Sequence, residues 1–149
     1  MKRSLLVLVF IAGCKPAAPP APVVHTDEKG LRELVDLPGS PSQVAWCEQA
    51  RGGADSRVPG PTDWELQALV TFPAPQRVQI GAVVRARPIV MKLAAPEKSC
   101  LPKAELAAHA SLFVSDGRDV SGLLHAPLSL GMAAWDGTSG TMFIVAHTM

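Results

Sequence analysis

The chain has 149 residues, 48% of them apolar, with 14 Lys and Arg against 13 Asp and Glu. This balance, with no basic cluster beyond Arg85-Ala86-Arg87, excludes the electrostatic footprint of non-specific nucleic-acid binding. The only long apolar run is residues 5–11, too short to span a bilayer at about 20 residues, and the remainder suits one domain around one core.

Taken in chain order, Lys2 and Arg3 precede the run from Leu5 to Ile11, and Ala12-Gly13-Cys14 follow. A basic start, a short apolar stretch and a small-residue exit make an export signal. Ile11-Ala12-Gly13-Cys14 resembles the lipobox of bacterial lipoproteins, with isoleucine where that family most often has leucine. The resemblance covers residues 1–14. It implies that residues 1–13 are removed, that the Cys14 thiol is diacylated and that the freed amine is acylated with a chain such as palmitate. Two or more chains anchor stably, at about 0.8 kcal/mol per buried CH₂. Lys15 stands where enteric lipoproteins held in the inner membrane carry aspartate, which implies an outer-membrane address facing the periplasm.

Residues 14–25 form the tether. Pro16, Pro19, Pro20 and Pro22 among alanines favour extended polyproline II, a spacer of roughly 30 Å at ~3.1 Å per residue. Residues 26–149 are expected to form a single mainly β domain, a small sandwich or partly open barrel with one short N-terminal helix. That helix is expected over 26–37, capped by Thr26 or Asp27, with Leu31, Leu34 and Val35 on one face and Pro38-Gly39 as its stop. Residues 43–49 read as a strand with Val44, Trp46 and Glu48 on one face and Ala45 and Cys47 on the other, or else as a helix begun by Ser42. Residues 51–63 hold too many Gly and Pro for regular structure.

From Trp64 onward the period becomes two. Trp64, Leu66, Ala68, Val70 and Phe72 are expected to face inward along one strand. Val78, Ile80, Ala82, Val84 and Ala86 are expected to do so along the next, leaving Arg77, Arg85 and Arg87 on its outer face. The phase slips at Pro88, the mark of a bulge or an edge, and Ile89, Met91 and Leu93 are expected inside. Pro102 leads a helical turn over 103–109. Strands over 111–114 and 120–124 are expected to flank a tight Asp116-Gly117 turn. A second hairpin joins 128–135 to 141–147 through Asp136-Gly137 and a connection ending at Gly140.

Cys47 and Cys100 remain as an even pair in an oxidising compartment, where a disulfide is the default. No clustered acid, base and nucleophile is legible. Gly137-Thr138-Ser139-Gly140 lacks the Gly-x-Ser-x-Gly elbow of hydrolases, and Asp116 with Asp119 supply too few oxygens for calcium. The expected role is therefore not enzymatic: no cofactor and no metal, but a binding or scaffold role toward another envelope protein, with Arg77, Arg85, Arg87 and Trp135 as the candidate contacts. The alternative is a periplasmic ligand or soft-metal binder built on His109, His125 and His147, joined by Met91, Met132, Met142 and Met149.

Overall fold

The computed structural model describes residues 22–50, 63–93, 96 and 99–148. The export signal, Cys14, most of the tether and the segment 51–62 lie outside the described residues. The elements follow in the order α1 (Glu28–Leu34), β1 (Gln43–Ala50), β2 (Trp64–Thr71), α2 (Arg77–Arg85), β3 (Ile89–Lys92), α3 (Lys103–Ala108), β4 (Asp116–Asp119), β5 (Leu130–Asp136) and β6 (Thr141–His147). All six strands join one open antiparallel sheet in the order β1-β2-β6-β5-β4-β3. The mainly β class is as expected; among the described residues the strands form one sheet that is not closed, without the second sheet of a sandwich.

The centre of the sheet is buried on both sides. In β2 and β6 the runs Leu66–Val70 and Thr141–Ile144 are buried without a break, the pattern of strands covered on both faces. One face packs Val44, Trp46, Leu66, Ala68, Val70, Ala133, Met142 and Ile144 against Leu31 and Val35 from the α1 segment and Ile80 and Val84 from α2. The other packs Cys47, Leu69, Ala134 and Phe143 against Leu93, Cys100, Leu101 and Leu112. A Cys47–Cys100 disulfide, Cα atoms 5.9 Å apart, ties the segment before α3 to this second face. Next to it the fully buried Gln67 accepts from Ser99 Oγ at 2.6 Å and donates to Glu65 Oε1 at 2.5 Å.

The N-terminal helix is shorter than expected. Asp27 Oδ2 accepts from the Gly30 amide at 2.8 Å, the N-cap role foreseen for it. Val35 is already extended and bridges to Leu124. Arg32 bonds Glu28 at 2.7 Å and the Gly39 carbonyl, fastening the turn that follows.

Four expectations are corrected. Residues 77–85 form helix α2, not a strand: of the alternating apolar set only Ile80 and Val84, one helical turn apart, are buried, while Val78 is 81% exposed. The alternation contains an i, i+4 pair, and the turn over Ala74–Gln76, with proline in its first turn, delivers the chain in helical geometry. Residues 111–114 and 121–123 are 3₁₀ turns, and Asp116-Gly117 opens β4 instead of turning a hairpin. Asp119 Oδ1 accepts from the Ser121 amide at 2.9 Å, a local bond that supports the turn over a strand.

Trp64 is 46% exposed instead of buried, because it lies beyond Glu65–His147, the last β2–β6 pair. Ile89 and Met91 are exposed as well, and Leu93 alone of that trio is buried. The slip at Pro88 does mark an edge: β3 is the terminal strand and its register shifts between Ile89 and Met91. The β5–β6 hairpin forms as expected. Gly140 within it has φ +73° and passes under the Arg77 side chain, so that a methyl there would lie 2.8 Å from Arg77 Cδ.

The crosslink closes residues 53 apart in sequence, which stabilises by roughly 3 to 4 kcal/mol on the chain-entropy model. Cys47→Ala/Cys100→Ala is expected to lose about that much in denaturant unfolding; an unchanged midpoint would show that the second face holds without it.

Candidate functional site

The four residues expected to contact a partner divide into two groups. Arg77, at the start of α2, donates from Nε to the Phe72 carbonyl at 3.3 Å and from a terminal nitrogen to the Thr138 carbonyl at 3.0 Å. It is a strut between α2 and the β5–β6 turn. Arg87 follows α2 and contributes to holding the Asp119 carboxyl below its usual value, although the bonds from Ser121 are the larger cause. Arg85 and Trp135, by contrast, are brought together. Helix α2 lies over β5 with Gly81 against the indole: a methyl on Gly81 would fall 2.7 Å from Trp135 Nε1 and 3.0 and 3.2 Å from the terminal nitrogens of Arg85. Only glycine permits this approach.

Arg85 and Trp135 border a cleft of about 190 Å³ with Val84, Ser115, Asp116, Arg118 and Gly137. Trp135 is half-buried and tilted against Phe72, ring centres 6.1 Å apart. Its Nε1 is buried and finds no acceptor among the described residues. Arg118 was not foreseen. It donates to the carbonyls of Arg85 at 3.1 Å and Arg87 at 3.0 Å, satisfying the C-terminal end of α2. Asp116 takes Lys92 at 2.7 Å and lies 3.6 Å from Arg118. The Lys92 hydrogen bond is the first cause of its lowered pKa. The sequence signal for this network was the run Asp116-Gly117-Arg118-Asp119, which turn chemistry explained equally well.

A second feature lies at the same end of the sheet. All four residues of β3 are exposed, with Ile89, Val90 and Met91 at 56%, 51% and 54%. Val90 and Met91 line a groove of about 290 Å³ with Leu130, Met132 and His147. Among the described residues β3 pairs only with β4, and none of them forms a strand on its outer backbone edge.

The three candidate metal-binding histidines occupy different settings. His109 lines a cleft with Glu105, Thr71 and Ser42. His125 bridges the Glu33 carbonyl, 3.0 Å from Nδ1, and Asp36, 3.1 Å from Nε2. His147 lies 3.9 Å from Glu65 beside the disulfide face. Met142 is buried in the core, Met132 lines the groove and Met149 lies outside the described residues. Among the described residues no three His, Cys, Asp or Glu side chains gather as ligands for a metal ion, and no helix is long and apolar enough to cross a membrane.

No family model matches this chain, and neither a curated protein nor a solved structure does so.

The bond to the Glu33 carbonyl, then the bond to Asp36, raise the His125 pKa above its ordinary 6.5. A raised folded value means that the stabilisation is fully present below 6.5 and is lost as pH climbs through the folded value. The difference in thermal midpoint between the native chain and His125→Ala is expected to be largest just below that pH and to shrink above it. A difference independent of pH would remove the charge from the explanation.

Proposed function

We propose that this chain is a bacterial envelope lipoprotein, acylated on Cys14, held at the outer membrane facing the periplasm, and working as a non-catalytic binding domain for another envelope protein. The anchor rests on residues 2–14, where charge, apolar run, small pair and cysteine coincide. The binding role rests on one observation, the exposed apolar strand β3 at a sheet edge that no other strand among the described residues pairs.

Unpaired N–H and C=O groups on an edge strand are a template for a further strand, and natural proteins blunt such edges with prolines and charges. Here Pro88 and Lys92 bracket the strand, and the Lys92 ammonium is drawn to Asp116. Between them Ile89, Val90 and Met91 stay open. An extended segment of a partner would add main-chain hydrogen bonds along β3 and set alternate apolar side chains into the groove beside Leu130 and Met132. A lipid tether supports this role by confining both partners to one surface, which raises their effective concentration.

Cys14→Ser should leave the export signal uncleaved or release the protein from the membrane fraction, and normal acylation in that variant would end the lipoprotein reading. Val90→Asp/Met91→Asp alters only exposed positions, so its unfolding midpoint should stay near the native value. Recovery of a stoichiometric partner from solubilised envelopes is expected to drop roughly tenfold or more, about 1.4 kcal/mol. Equal recovery with the native chain and with Val90→Asp/Met91→Asp would place the contact elsewhere.

A further inference from the structure

We infer that the cleft between α2 and β4–β5 binds a carboxylate, with the Arg85 guanidinium and the Trp135 indole N–H as its two donors. The site stands whether or not a partner occupies the β3 edge.

Two polar groups at this place lack partners. Trp135 Nε1 is buried and makes no hydrogen bond among the described residues, a rare and costly state for a donor. Arg85 is exposed, and its side chain has no hydrogen bond or ion pair among the described residues. These groups converge: the indole nitrogen and both terminal guanidinium nitrogens lie within 3.2 Å of one point beside Gly81. Donors crowded together without an acceptor repel one another, and an oxyanion between them removes the repulsion. Because Arg85 is exposed and unheld, an anion can draw its guanidinium outward and expose the indole hydrogen.

Charge decides the class of anion. Arg118 is engaged by the carbonyls of Arg85 and Arg87, and Asp116 by Lys92. Among the described residues lining the cleft, Arg85 is the cation whose side chain has no partner. With Arg118 and Asp116 paired at 3.6 Å, the charged groups of the lining, Arg85, Arg118 and Asp116, leave a net charge of one positive, which a monoanion matches and a phosphate dianion exceeds. A carboxylate also matches the planar guanidinium fork, and about 190 Å³ accommodates that group with a few carbons behind it. Its source is either a free small acid or the end of a protein chain.

The test follows the Trp135 indole N–H resonance, assigned by its loss in Trp135→Phe, in the full chain in detergent at matched ionic strength. Probes are acetate, inorganic phosphate, a short peptide with a free C-terminal carboxylate, and the same peptide amidated. Acetate is expected to give a saturable downfield shift, phosphate a weaker one, and Arg85→Gln to weaken acetate binding roughly tenfold. Free peptide binding more tightly than acetate while its amide does not bind names a chain terminus as the source; acetate binding as tightly as the peptide names a free acid. Absence of a saturable shift, equal affinity in Arg85→Gln, or phosphate binding more tightly than acetate overturns the assignment.

Discussion

Burial of β2 and β6 on both faces is the constraint from which the rest of the architecture follows. Strands apolar on two sides need two covers, and this chain makes them from unlike material. One is helical, with Leu31 of α1 and Ile80 and Val84 of α2 set against Leu66, Val70, Met142 and Ile144. The other consists of short turns and α3, held down by the Cys47–Cys100 crosslink over Phe143 and Leu69. The irregular cover is the one that carries the covalent staple, which is where a constraint on chain entropy has most to offset.

The helical cover also shapes the candidate contact surface. Gly81 lets α2 settle onto the Trp135 indole, and Arg118 reaches from β4 to the carbonyls that end the helix. With Arg118 so employed, Arg85 projects at the rim without a side-chain partner among the described residues, next to an indole donor in the same state. Beyond β4 the sheet stops, among the described residues, at β3, whose apolar side chains are exposed. Edge and cleft therefore adjoin the same strand, β4, as consequences of where the two covers end.

Much of the fold was legible where one local rule acted alone. The β5–β6 hairpin, the strand period of residues 64–71, the Asp27 cap and the pairing of Cys47 with Cys100 each follow from residue type and spacing. Of the candidate contacts, Arg85 and Trp135 could be named but not joined, since 50 positions of chain separate them and only the seating of α2 on β5 brings them together. Arg118 was invisible because its role is to close a helix that the sequence presented as a strand.

By itself, then, the sequence determined the mainly β class and the crosslink, since composition, cysteine parity and short-range periodicity are properties of local chain. Tertiary structure decided that residues 77–85 coil into a helix, that Trp64 and Met91 face water and that Arg85 meets Trp135. An alternating valine-rich stretch fits a strand or a helical face equally well, and what resolves it is the apolar surface waiting on the other side.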